Sequence, residues 1–306
     1  MIAGVAVVPT TPLLLDDIPG RRHPELTTLA AQVRRALHVA GPVDLAVALA
    51  GGGRLAVVDA PDTDLSGYGL TAALPDHPLN PGPAAVVGTL RHAVARCRAE
   101  RDSCAAVAEM SEGSGPAAPA GAAGGTMRDA TADDVSVGSG HAARSTPDDV
   151  SRADRRSRPQ TTGEWGDLPV LVHNLPANTP TVGLTAPPDL GAGRAVLLGQ
   201  AIARVAQDHD VLLVVAGDLG AGHGPKPPRP DAAEATMAFD QQVVAALDNG
   251  RAVDLIRLDH DLADRAHARA AGALRILGTV LDQARRGTVV RANAAPLGVG
   301  YVVAAG

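Results

Sequence analysis

Short unbroken runs of apolar residues alternate along this chain with longer stretches in which apolar positions recur every three or four residues. The first run, residues 2–8, is stopped by Pro9 and predicts a buried strand. A helix is predicted from Pro24, where proline suits the first helical position, through Leu26, Leu29, Ala30, Val33 and Leu37 to a stop at Gly41 and Pro42. Residues 43–50 read as a continuous strand broken by Gly51, Gly52 and Gly53, with a further apolar run at 55–58. Helical spacing returns over 84–98 through Val86, Val87, Leu90 and Val94. Further on, 168–173 reads as an apolar strand and 181–184 as a short one, followed by a helix over 192–207. The strongest strand is 211–215, which runs into Ala216, Gly217 and Asp218. Helices are predicted over 231–247 and 267–285, and a strand over 299–304 closes the chain. Buried strands alternating with amphipathic helices predict an α/β fold, a largely parallel sheet covered on both faces.

The rhythm fails from 111 to 163, a stretch of Ala, Gly, Ser, Asp, Pro and Arg with scarcely a large apolar residue. Such a composition buries too little surface to offset its ordering entropy, so a disordered low-complexity insert is expected within a single domain spanning 1–306. Phe239, Trp165, Tyr68 and Tyr301 are the only aromatic residues, so the core must be built from Val, Leu, Ile and Ala.

The net charge of −6 argues against a nucleic-acid partner, and the scarcity of aromatics removes the stacking platform for single strands. Arginine supplies nearly every cation, with Lys226 the one lysine, a codon-usage effect that gives no phosphate argument. Cys97 and Cys104 are two helical turns apart, too far for a disulfide, and free thiols suit a reducing cytosol. No basic segment precedes the first apolar run and no run reaches the ~20 residues of a membrane span, so a soluble cytoplasmic protein is expected.

In open α/β sheets ligands bind beyond the carboxyl ends of the strands. That rule selects residues 9–12, Gly51 to Gly53, His173 with Asn174, residues 218–223 and the final 298–301. Gly51, Gly52 and Gly53 suit an anion-binding nest, though a plain turn between strands explains them as well. The glycines around 217–224 satisfy neither the dinucleotide fingerprint nor the phosphate loop. No nucleophile elbow is present, and Cys97 has no identifiable base. A non-haem Fe(II) site needs two His and one carboxylate on one face, and His173, His223 and Asp218 are the set that strand ends would bring together, with Asp16 or Asp17 as other donors. Each also reads as an ordinary loop residue.

Several stretches together resemble the class III extradiol ring-cleavage dioxygenase superfamily, in a branch from GC-rich bacteria. They are Ile2 to Pro9 followed by Pro12-Leu13-Leu14-Leu15, Leu49 to Gly53, Val214 to Leu219, Phe239-Asp240, and Ala295 to Tyr301. The resemblance implies a three-layer α/β/α sandwich with a largely parallel or mixed central sheet. It also implies Fe(II) held by two His and a carboxylate, a further His as acid/base, and an aromatic small molecule as substrate. His223, five residues after Asp218, is the residue carried over as acid/base, with Asp218 beside it. This chain departs where metal-binding histidines are expected, having Thr10 and Thr11 after the first strand and only Gly51, Gly52 and Gly53 after the second. No metal ligand is therefore assigned, and Thr10, Thr11, the three glycines and His173 are expected to line a small-molecule site. Altered or lost iron chemistry is the leading expectation. An active Fe(II) enzyme with displaced ligands and a non-catalytic interaction protein are the alternatives. Active family members often work as assemblies, which leaves a homo-oligomer open.

Overall fold

Large and small apolar residues alternate along the second strand, with Leu45, Val47 and Leu49 on one face and Ala46, Ala48 and Ala50 on the other. Both faces are buried, and each is covered by its own helices. The computed structural model describes residues 1–14, 24–38, 41–59, 80–112, 168–175, 178–224 and 231–306. Met1–Glu100 and Thr161–Gly306 form one compact unit, and Arg101–Gln160 form a second.

The strands are β1 (Ile2–Val8), β2 (Leu45–Gly51), β3 (Ala56–Val58), β4 (Asn80–Pro81), β5 (Pro180–Ala186), β6 (Val211–Ala216), β7 (Val289–Ala294) and β8 (Tyr301–Ala305). Seven lie in the order β3-β5-β2-β6-β1-β8-β7, and β4 pairs with the start of β5. The central four, β5-β2-β6-β1, are parallel, whereas β3, β8 and β7 run antiparallel to their neighbours. The helices are α1 (Pro24–Leu37), α2 (Ala84–Glu112), α3 (Leu168–His173), α4 (Ala192–Asp208), α5 (Ala232–Asp248), α6 (Ala252–Ile256), α7 (His260–Arg265) and α8 (Ala271–Ala284). Val5, Val7, Leu213 and Val215 meet residues of α2 and α4 to α8 on one face of the sheet. Ala6, Val8, Leu212 and Val214 meet α1 and α3 on the other. The result is the α/β/α arrangement, with a mixed sheet whose core is parallel.

Four expectations change. Residues 168–173 form a helix, not a strand, so His173 ends a helix and follows no strand. Its buried Leu168, Leu171, Val172 and Leu175 recur at helical spacing, a period that a six-residue apolar run is too short to display. Helix α2 continues to Glu112, past the predicted end near 98. Strand β7 escapes the apolar pattern because it is an edge strand, alternately exposed and half-buried, with Arg291 and Asn293 in its middle. The last helix starts at Ala271, and His267 stands before it in a left-handed turn. The expected insert falls, from 113 onward, outside the described residues, as do Asp16 and Asp17.

Candidate functional site

Strands β6, β1 and β8 are neighbours, and their polarity brings the carboxyl ends of β6 and β1 to the amino end of β8. Gly217 N–H donates to Val8 O at 2.7 Å, and Val302 N–H donates to Gly217 O at 3.0 Å. A β-carbon at Gly217 would strike Val302 O, so glycine is needed for this close backbone approach. Just beyond, the buried Thr10 directs its peptide N–H at both Asp218 carboxylate oxygens, at 3.2 and 3.1 Å, and its hydroxyl donates to Oδ2. Asp218 also bridges to Tyr301 through the backbone.

Thr10, Thr11, Asp218 and Tyr301 line a cavity of about 190 Å3, closed on its far side by His267 and Arg269. A second cavity of about 570 Å3 shares Ala221, His267 and Arg269 with it, and adds Asp189, His260 and Asp261. The expectation that ligand space opens at the strand ends is thus given a definite place among the described residues. Another cavity, of about 590 Å3 between α2 and α4, involves His92, Arg96, Arg204 and His209 and none of the strand-end residues.

His223 is turned elsewhere. Its Nε2 lies 2.6 Å from Asp240 Oδ2, and the pair borders a separate groove of about 430 Å3 between α5 and β7. Asp240 is buried and accepts a second hydrogen bond from Gly220 N–H at 2.8 Å. The loop is held by Gly222 N–H donating to Thr236 Oγ1 at 3.0 Å and His223 N–H donating to Gly298 O at 3.1 Å. Carboxylate-oriented imidazole is the arrangement of a proton donor or acceptor, with Nδ1 the nitrogen left to act. Asp218 and His223, five residues apart, therefore serve two different cavities.

Burial pushes the Asp240 carboxyl above the ordinary aspartate range, while the hydrogen bonds from His223 and Gly220 pull it part of the way back. A raised folded pKa means that the folded chain binds this proton more readily than the unfolded chain. Its contribution to stability is thus present at low pH and is lost as pH rises through the raised value. Asp240→Asn removes that slope. Urea unfolding between about pH 4 and pH 7 should show wild type losing stability relative to the variant as pH rises. A difference that grows the other way would mean the pairing with His223 outweighs burial.

Gly51, Gly52 and Gly53 border none of these cavities. Gly51 is the last residue of β2, and a β-carbon there would press on Arg269 O. Gly52 N–H is taken by Ala186 O at 3.0 Å, so it is not left for an anion. His173 is likewise absent from the linings of these cavities. Asp240, His267 and Arg269 were not selected as site residues from the sequence. Asp240 and His267 sit inside helical spacing that explains them without function, and only the tertiary turn exposes what they face.

Iron binding can be weighed on the donors present. Among the described residues no group of three His, Cys, Asp or Glu side chains could hold a metal ion. The positions after β1 offer threonine hydroxyls, which are poor Fe(II) ligands beside imidazole, and those after β2 offer no side chain at all. The described residues do not fit the iron centre that the family resemblance implies.

No family model matches this chain, and no curated protein matches it. Among solved structures it is similar to an uncharacterized protein from Escherichia coli K12, at 13% identity and a TM-score of 0.47, over 99% of this chain and 98% of that one. No helix among the described residues is long and apolar enough to cross a membrane.

Proposed function

We propose that the chain is a class III extradiol-dioxygenase-like protein that keeps a small-molecule site at the strand ends and has lost the ordinary Fe(II) ring-cleavage ligands. The observation that carries this reading is the Thr10–Asp218 pair. Two neighbouring parallel strands deliver it to the mouth of the 190 Å3 cavity, and the carboxylate there is engaged by threonine. The ligand is an aromatic small molecule, and the His223–Asp240 pair is a proton-handling group of the neighbouring groove.

Anaerobic incubation with Fe(II) followed by desalting is expected to leave no stoichiometric iron, and oxygen uptake should not respond to catechol. Calorimetry should nevertheless show saturable catechol binding that Asp218→Ala weakens by about tenfold. Stoichiometric iron with catechol-dependent uptake would overturn the loss of iron chemistry and favour displaced ligands such as His173, Asp218 and His223. Absence of binding would overturn the small-molecule site and favour a non-catalytic interaction protein.

A further inference from the structure

His267 has φ 52°, in the left-handed region that glycine occupies far more readily than histidine. The backbone reason is plain. Helix α7 ends in a turn where His267 N–H donates to Asp264 O and Ala268 N–H donates to Ala263 O, at 3.0 and 2.9 Å. That is a left-handed helix stop, and its usual residue is glycine. The stop explains the conformation but not the imidazole. At the end of α8 the same conformation falls on Arg285, whose side chain lies in solvent. At His267 the side chain enters the strand-end crevice instead and lines both of its cavities.

Its Nε2 is buried and meets no hydrogen-bond partner among the described residues. A buried ring nitrogen without a partner forfeits its hydrogen bond to water with no replacement, unless a ligand supplies one. Two residues on, Arg269 also lines both cavities, is exposed, and has no carboxylate in ion-pair contact among the described residues. A cation and an unsatisfied ring nitrogen thus stand together where the cavities join. The other charges are disposed differently. Asp218 is engaged by Thr10 at the inner end, while Asp189, Asp261 and Asp264 stand around the larger cavity with His260.

We propose that His267 and Arg269 form the recognition pair of the strand-end crevice, and that its ligand is a small organic monoacid carrying a hydroxyl or keto oxygen beside the acid group. The guanidinium takes the carboxylate in a charge-assisted pair, and Nε2 takes the neighbouring oxygen. The aspartates around the larger cavity disfavour a second negative charge on the ligand, which is why a monoacid is specified. This inference rests on the strand-end reading above and adds the chemical class to it.

The test uses the full chain with three probes in calorimetry: mandelate, phenylacetate, which lacks the hydroxyl, and catechol, which lacks the acid. Mandelate should bind roughly fivefold or more tightly than phenylacetate, the effect of one hydrogen bond. Arg269→Gln should weaken mandelate by about tenfold or more while leaving catechol nearly unchanged. His267→Gly is the decisive variant, because glycine suits the left-handed turn. Its thermal midpoint should hold or rise while the preference for mandelate over phenylacetate disappears. Equal affinity for the two acids in wild type, or a preference that survives both substitutions, would overturn the recognition pair and leave a catechol-binding site standing. Failure of all three probes to bind would overturn the pair and the strand-end site together.

Discussion

Arg275→Ala is expected to lower the free energy of unfolding by about 3–5 kcal/mol, from lost packing and orphaned carbonyls combined. Arg275 lies in α8 and is fully buried, and burial pushes its guanidinium pKa down from the ordinary arginine value. Its Nη1 donates to Pro188 O at 2.7 Å, while Nε and Nη2 donate to Leu258 O at 3.3 and 2.9 Å. The side chain therefore ties the loop after β5 to the turn before α7, both of which wall the larger strand-end cavity through Pro188, Asp189 and His260. Alanine would leave two carbonyls without donors and a void the size of a long side chain. Arg275→Met fills most of the void and removes the desolvated charge, so it should cost less than alanine although the same hydrogen bonds are lost. Urea denaturation of the two variants decides the matter. A loss below about 1 kcal/mol for alanine would mean that the loops hold without the guanidinium.

Gly300→Ala is expected to cost about 2–3 kcal/mol, and its effect on the His223–Asp240 pair should exceed its effect on the fold. A β-carbon at Gly300 would overlap Asp240 Oδ2 and come within 3.1 Å of the Leu219 β-carbon. Asp240 cannot yield freely, because Gly220 N–H holds one oxygen and His223 the other. Backbone adjustment is also opposed, since Gly300 N–H donates to Gly220 O and its carbonyl accepts from Leu219 N–H. The carboxylate must therefore leave His223, which nuclear magnetic resonance of the imidazole protons would report. Asp240→Ala opens the same space, so the double substitution should cost less than the sum of the singles. Strict additivity would mean that the overlap is relieved elsewhere.

The strand ends illustrate how far the sequence could be followed. Thr10, Thr11 and Asp218 were legible because a proline stop and a Gly-Asp turn each followed an unmistakable apolar run, and ligand space in an α/β sheet lies beyond such ends. Both do line a strand-end cavity. His173 was misplaced for a complementary reason. Six apolar residues without flanking context carry no period, and a helix buried on the sheet looks the same as a strand within it. The glycine triplet was visible as a feature, yet the need for Gly51 comes from Arg269, which lies far along the chain.

What the sequence determined by itself is the layered α/β plan, because strand burial on two faces and helical amphipathicity are local periodicities written into each segment. Tertiary structure alone decided the partition of the chemistry. Asp218 went to Thr10 and His223 to Asp240, in separate cavities, though the two residues are close in sequence. It also turned His267 from an expected helix residue into a left-handed stop facing the crevice. Side-chain partnership across 17 or 208 residues depends on strand order and loop closure, which no local pattern encodes.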